Sequence, residues 1–180
     1  MQCLEMDGGI QVPLVNRQTW KGLLPKSTEP LCHPITHVRF TYEDLRKYND
    51  DMFQMMPECQ KHYMEKMGLP DVPWNFLVGP GGIIVEGRGW HTQPWRPEEK
   101  FPELKGKSCL DIAYIGDYAD LSTDPTWEMV RSGMYLIMHG LKNNYISSAF
   151  QTIPYRDKAG VYQFLSEDSD TPEGHLLRED

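Results

Sequence analysis

The sequence predicts an α/β fold, because short apolar strands and amphipathic helices alternate along it. Two apolar runs, Trp74–Val78 and Ile83–Val85, flank the glycine-rich turn Gly79–Gly82 and predict a hairpin. Further along, apolar side chains recur at helical spacing over Pro125–Leu141. The chain has 180 residues, of which 39% are hydrophobic and 24% charged, and this suits a single globular domain.

Two elements are expected ahead of the hairpin. The first is a strand over Pro34–Phe40, which reads PITHVRF. The second is a helix that begins at Pro57, because proline at the first helical position gives up only an N–H that is already unpaired. This helix should run to about Met67 and end at Gly68. Its apolar face is expected to comprise Met56, Cys59, Tyr63 and Met67.

Five segments are expected after the hairpin. Residues 91–108 form a polar loop punctuated by prolines, and Leu110–Ile115 forms a strand. The helix Pro125–Leu141 is capped by Asp124 and buries a stripe of large apolar side chains, namely Val130, Met134, Ile137, Met138 and Leu141. A short strand follows at Ala149–Ile153, and the acidic, turn-rich chain from Ser166 onward is expected to be frayed.

Composition excludes several classes of protein. The net charge of −8 argues against binding to a nucleic-acid backbone. No run of about 18 apolar residues is present, so the sequence predicts no membrane span. The start, MQCLEMDGGIQVPLV, lacks the basic and apolar regions of a secretory signal, and whether it continues a longer protein stays open. The four cysteines form no CxxC motif, so a zinc ribbon is unsupported.

The stretch Pro73–Trp90, PWNFLVGPGGIIVEGRGW, resembles the YNFLVG…DG…YEGRGW signature of the peptidoglycan recognition protein family. Members of that family are related to the zinc-dependent type-2 N-acetylmuramoyl-alanine amidases. Further resemblances follow in order at Val15–Trp20, Gln60–Met64, Leu110–Gly116 and Tyr155–Asp157. The resemblance implies a central mixed, largely parallel β-sheet flanked by helices, with a peptide-binding groove on one face. It also implies an N-terminal extension over 1–11, the recognition domain over 12–165 and an acidic tail over 166–180.

The places of the family's zinc ligands hold other residues in this chain. The resemblance puts Thr41 and Tyr155 at the two histidine places, and the cysteine place falls near Gln163, or near Thr171 if a loop is longer. Trp74 stands where the active enzymes have a tyrosine. Threonine, tyrosine and glutamine cannot replace nitrogen and thiolate ligands of zinc. The resemblance therefore implies no metal, no cofactor and no amidase activity.

A metal or catalytic site built from other residues than those at the family's zinc-ligand places is a weaker alternative. His33 and His37 are four residues apart, and His62, His91, His139 and His175 are isolated in the sequence, so surface or structural roles are favoured for all six. Glu43 and Glu86 are conceivable general acids or bases. Glu86, however, lies within the family's scaffold motif, and neither has an evident nucleophile or metal beside it.

The groove itself is expected to be modified. Its candidate residues by resemblance are Tyr42, Trp74, Arg88, Trp90, His91, Trp95 and Tyr155. The loop after Trp90 is about four residues longer than is usual in the family, and two interpretations stay open: it covers the lip of the groove, or it is a plain surface insertion. A cysteine pair of the family is also missing, since its places fall near Arg46 and Met52.

These features favour a non-catalytic innate-immune regulatory domain with a modified or blocked groove, resembling insect long-form receptor ectodomains. Such a pseudo-amidase would lie outside the cell and act through another recognition-family protein or a signalling receptor. The methionine-rich segment Met52–Met56 is the expected docking surface. The alternative is a pattern recognition receptor that senses muramyl peptide directly, without amidase activity.

Overall fold

The fold is built around a seven-stranded sheet. The computed structural model describes residues 2–96, 100–117 and 124–153, together with the backbone of three strands in the last 26 residues. The strands of the sheet are, in chain order, β1 (Gln2–Glu5), β2 (Gln11–Val15), β3 (Ile35–Glu43), β4 (Phe76–Val78), β5 (Ile84–Glu86), β6 (Cys109–Ile115) and β7 (Ile146–Ile153). Two helices flank it, α1 (Met52–Lys61) and α2 (Trp127–Lys142).

The sheet is mixed and largely parallel, which confirms the predicted fold class. Its strand order is β1-β2-β5-β4-β6-β3-β7. Only β1 with β2 and β4 with β5 pair antiparallel, and the other neighbours run parallel. A smaller antiparallel sheet contains β8 (Tyr155–Arg156), β9 (Val161–Phe164) and β10 (Leu176–Glu179). The tail predicted to be frayed therefore includes one paired strand, and residues 165–175 lie outside the described part.

The sheet separates two apolar cores, because neighbouring strand residues point to opposite faces. On β3, Val38, Phe40 and Tyr42 face the core that α2 completes. On β6, Ala113 and Ile115 face the second core, which α1 completes. Each central strand is thus buried on both faces, as is usual for parallel sheets.

The first helix begins earlier than predicted. It starts at Met52, where the Asp51 side chain accepts a hydrogen bond of 2.8 Å from the Phe53 N–H, so Pro57 lies inside the helix rather than at its start. A π-helical turn at His62–Lys66 follows. A π-helical turn contains about one residue more than an α-helical turn, and this extra residue rotates Met67 away from the apolar face. Met67 is 51% exposed, and its predicted burial was wrong, whereas Met56 and Cys59 are fully buried.

The second helix presents a different face to the sheet than predicted. Its cap is Thr126, whose hydroxyl accepts from the Met129 N–H, and not Asp124. The buried side combines large and small residues: Met129, Ser132, Gly133, Leu136, Ile137 and Gly140. Met138 is 45% exposed, and Val130, Met134 and Leu141 are only half-buried. The predicted stripe is therefore confirmed for Ile137 and in part for Val130 and Leu141, which pack against the core, and it was wrong for Met138. Glycines bring this helix close to the strands beneath it.

The predicted strands are present with shifted ends. The hairpin strands are antiparallel as expected, but β4 begins at Phe76 and β5 at Ile84. β3 extends three residues beyond the prediction to Glu43, and β7 begins three residues earlier, at Ile146. These extensions matter for the site, since they add polar residues to the end of a buried strand.

The orientation of α2 can be tested by replacing Gly133 with alanine. A methyl group at this position would overlap the Tyr114 hydroxyl oxygen. We expect Gly133→Ala to lower the free energy of unfolding by about 1–3 kcal/mol, despite the better helix propensity of alanine. Met138→Ala, on the exposed side, should change it little. Chemical denaturation measures the free energy of unfolding of both variants. A larger loss for Met138→Ala than for Gly133→Ala would contradict the observed orientation of α2.

Candidate functional site

Polar side chains line the sheet face that is turned toward α1. Arg39 and Thr41 lie there on β3, and the parallel register sets Asp111 beside Arg39 and Ala113 beside Thr41. Arg39, Thr41 and Asp111 are all buried. A buried charge is costly unless it is paired, so the partners of these groups decide what this face can do.

Asp111 is paired with two arginines. It accepts hydrogen bonds from Arg39 Nη2 at 2.6 Å and from Arg96 Nη1 at 2.7 Å. Burial lowers the pKa of Arg39, but the charge of Asp111 outweighs this effect and the pKa is raised, so Arg39 stays charged. Arg96 belongs to the loop after β5. The contact therefore holds the loop against the sheet.

The same loop supplies an aromatic cover. The Phe101 ring lies with its centroid 4.3 Å from the Arg39 guanidinium carbon, which is cation–π geometry. Of the two interpretations of the long loop, the lip-covering one agrees with this packing, since Arg96 and Phe101 lie against the sheet face. The side chains of residues 97–99 lie outside the described part.

Glu43 lies at the carboxyl end of β3 on the same face, and the side chain of Trp74, from just before β4, reaches it. Burial raises the pKa of the half-buried Glu43 to about 7, and the charge of Arg39 and a hydrogen bond from the Trp74 side chain oppose that rise. Trp74 is buried and packs edge-on against Tyr63, with ring centroids 5.5 Å apart. Thr41, in the place of a zinc ligand, is 1% exposed and lies between Arg39 and Glu43 along the strand.

Two of the other predicted groove residues, Tyr42 and Trp90, lie on the opposite side of the sheet from Trp74. Tyr42 lies on the opposite face of the sheet, in the core with α2, where its ring is 6.2 Å from Tyr114. Trp90 packs against that core as well, 4.7 Å from Phe76. The predicted set is therefore divided between the two faces of the sheet.

Arg88 has a scaffold role. Its Nε donates to the Gln93 carbonyl at 2.6 Å, its Nη2 donates to the Ser27 carbonyl, and its Nη1 lies 3.5 Å from Asp71. Its acidic partner is Asp71. These contacts join three loop segments and leave Arg88 only 8% exposed.

The remaining candidates lie apart. His91 is exposed, with its ring 5.0 Å from that of His33. The side chain of Trp95 is exposed, and the backbone N–H of Trp95 donates to the Pro73 carbonyl. Tyr155 lies on β8 with only its backbone described, as does Gln163 on β9, and Thr171 is outside the described residues. Within the described ranges, no cluster of three or more histidine, cysteine or acidic side chains is placed to hold a metal ion.

The predicted docking surface is largely internal. Met55 and Met56 are fully buried in the core beneath α1. Only the start of the segment reaches the surface, through the half-buried Met52 and the exposed Phe53. The expectation of a methionine-rich surface was wrong, because the earlier start of α1 turns these methionines inward.

Comparison with known proteins finds relatives that all carry one family name, although no family model matches the chain. Peptidoglycan recognition protein 1 of Rattus norvegicus is 27% identical over 152 residues, which cover 80% of this chain and 76% of that protein. Peptidoglycan-recognition protein 3 of Holotrichia diomphalia is 25% identical over 163 residues, covering 84% and 81%. These similarities support the assignment of the chain to the peptidoglycan recognition protein family.

Solved structures of the peptidoglycan recognition protein family share the fold. Drosophila PGRP-LB has a TM-score of 0.66 at 24% identity, with 78% of this chain and 80% of that chain covered. Apis mellifera PGRP-SA has a TM-score of 0.67 at 21% identity, covering 78% and 82%. The ectodomain of the Drosophila transmembrane receptor PGRP-LCa has a TM-score of 0.65 at 21% identity, covering 78% and 83%. In the present chain, no described helix has the length and apolar character needed to cross a bilayer.

Sequence reasoning did not predict the ion network that Arg39, Arg96 and Asp111 form on the sheet face. Arg39 and Asp111 each stand as a single charge inside an apolar strand, and this was the available signal. Two opposite charges in neighbouring buried strands predict an ion pair. Nothing in the sequence locates Arg96 beside them, because its position depends on the path of the long loop.

The network can be tested through Asp111. Asp111→Asn would leave two buried arginines without a counterion, and we expect a loss of about 3–5 kcal/mol in the free energy of unfolding. The control is Asp44→Asn, since Asp44 pairs with Arg46 at the surface and both side chains are exposed. That change should leave stability nearly unaltered. If urea denaturation gave the same loss of unfolding free energy for Asp111→Asn and Asp44→Asn, the Asp111 network would not stabilise the fold more than a surface pair does.

Glu43 generates a pH-dependent prediction. Its pKa is raised from 4.5 to about 7, so the folded protein binds this proton more tightly than the unfolded chain does. The ionised carboxylate therefore costs stability, and this cost appears as the pH rises from 4.5 to 7. Glu43→Gln should match the wild type below this range and exceed it by about 1–3 kcal/mol above it.

Denaturation of the Glu43→Gln variant at a series of pH values measures the effect. Glu58→Gln, at an exposed position of α1, is the control and should follow the wild type throughout. A constant difference between Glu43→Gln and the wild type at every pH would contradict the burial of an ionisable Glu43.

Proposed function

We propose that this chain is a non-catalytic innate-immune regulatory domain of the peptidoglycan recognition family, which acts through protein partners. Family membership supports a role in peptidoglycan recognition. The observation that carries the regulatory proposal is the packing of Arg96 and Phe101 over Arg39 and Asp111. Loop side chains thereby occupy the sheet face on which Thr41 and Trp74 lie.

The absence of amidase activity is proposed from the chemistry of the substituted residues. Thr41 takes the place of one zinc-binding histidine by resemblance, and a hydroxyl in a buried strand is a poor substitute for imidazole. Tyr155 and the residue near Gln163 take the other two places. Without a bound metal, a water keeps its ordinary pKa and the scissile amide is not polarised.

Neighbouring residues do not supply the missing chemistry. Trp74 replaces a tyrosine, and its indole has no hydroxyl to offer to an oxyanion. Arg39 is held by Asp111 and covered by Phe101, so it is not presented to a substrate. Glu43 is the one group near Thr41 with a pKa near neutrality, and a general base alone contributes only a small part of amide hydrolysis.

Action through a protein partner is supported by exposed apolar side chains. The large ones are Ile10, Leu23, Leu24, Phe53, Met67, Trp95, Trp127 and Met138. Exposed aromatic and aliphatic groups are the usual anchors of protein interfaces. We propose another recognition-family protein or a signalling receptor as the partner, and an extracellular or ectodomain location, as for the PGRP-LCa ectodomain.

The alternative is direct sensing of muramyl peptide without cleavage. One observation favours it: a mutant of Drosophila PGRP-LB is known in complex with tracheal cytotoxin, and that protein shares this fold with a TM-score of 0.65. Direct sensing by this chain requires that the groove face admit a ligand beside Arg96 and Phe101. The packing of these two residues against the sheet favours the regulatory role.

The catalytic part of the proposal is tested by zinc content and product release. We expect the dialysed domain to hold no stoichiometric zinc and to release no peptide from peptidoglycan. Trp74→Tyr should remain inactive, because the hydroxyl alone does not supply a Lewis acid. An active family member assayed in parallel is the control. One zinc bound per chain, or release that scales with protein concentration, would overturn the non-catalytic assignment.

A further inference from the structure

A cavity of about 250 Å³ lies at the amino-terminal ends of β3 and β6. The chain before β3 forms one wall through Leu31 and Cys32, and the long loop forms the rest. The cavity reaches Cys109, the first residue of β6. Since a water occupies about 30 Å³ in the liquid, the space holds about eight water-sized groups.

The cavity is separate from the place of the zinc ligand. Its inner end, Cys109, pairs with His37 on β3. Thr41 lies four residues further along β3, which corresponds to about 13 Å of extended strand. A ligand of this size in the cavity would therefore not reach Thr41 or Glu43.

The lining of the cavity combines cations with an apolar wall. Arg96, Lys105 and Lys107 supply positive charge, and none of the lining residues in the described part of the chain is acidic. Leu31, Phe101 and Leu104 supply the apolar wall. In a chain with a net charge of −8, three cations at one cavity are a local reversal of charge.

Among the described residues, Asp111 balances the positive charge at the cavity only in part. Asp111 is shared by Arg39 and Arg96, so the two arginines have one counterion between them. Among the described residues, Arg96 bonds Asp111 only through Nη1, and the buried Arg39 Nε has no partner. Consistent with this field, the pKa of His37 is lowered, by burial first and then by the charges of Lys107 and Arg96.

We propose that this cavity binds a small organic carboxylate. The guanidinium of Arg96 has free donors in the planar fork geometry that matches a carboxylate, and the two lysines add attraction without a fixed geometry. The apolar wall takes the hydrocarbon part of the ligand, as in most small-molecule sites. Inorganic phosphate has the charge but no apolar part, so it fills the cavity less well.

The test uses benzoate as the probe, with benzyl alcohol as its neutral counterpart and inorganic phosphate as the purely anionic one. Binding is followed by NMR chemical-shift changes of the intact domain. We expect saturable benzoate binding with a dissociation constant of about 0.1–1 mM, and clearly weaker binding of the other two probes. Shifts should concentrate at residues 104–109.

Variants establish which charges are responsible. Lys105→Met with Lys107→Met removes two exposed cations without disturbing a core contact, and benzoate affinity should fall about tenfold. Lys61→Met, at an exposed position of α1, is the matched control and should bind like the wild type. The proposal is overturned by the absence of saturable benzoate binding, by equal affinity for phosphate, or by an unchanged affinity in the double variant.

Discussion

The hydrogen-bonded ion network at Asp111 is the interaction on which the shape of the groove face depends. Asp111 lies inside β6, and its carboxylate binds one arginine from β3 and one from the long loop. Its own backbone N–H donates to Asn75 Oδ1, and the Asn75 amide donates in turn to the Gly89 and Thr92 carbonyls. Asp111 thus ties the sheet to the start of the hairpin and to the first part of the loop that follows it.

A second buried carboxylate, Asp71, joins other segments of the domain in the same manner. Asp71 pairs with Arg17, accepts a hydrogen bond of 2.8 Å from Gln60 Nε2 and lies near Arg88. These contacts join the segment after β2, the helix α1 and the turn after β5. Breaking such a pair on one side leaves a buried charge uncompensated, which is why both networks constrain the structure more than a surface pair does. In this chain the two glycines around Arg88 belong to the scaffold.

Sequence reasoning predicted the parts that depend on local signals. The glycine-rich turn at Gly79–Gly82 and the apolar runs beside it were enough to predict the hairpin, and LDIAYI was enough to predict β6. The phase of α2 was not predictable from large apolar residues, because Gly133 and Gly140 face the sheet and allow close approach. Pro57 was misplaced because the Asp51 cap outweighs the preference of proline for the first turn. The ion network requires a long-range contact by Arg96, and no local pattern encodes such a contact.

We propose that the chain's own loop fills the groove face, and calorimetry with muramyl peptides tests this proposal. Titrations should include both lysine-type and diaminopimelate-type fragments. The packing of Arg96 and Phe101 over Arg39 and Asp111 predicts a dissociation constant weaker than about 1 mM for both. A micromolar or tighter constant for either fragment would contradict the filled groove and would leave the domain as a direct sensor.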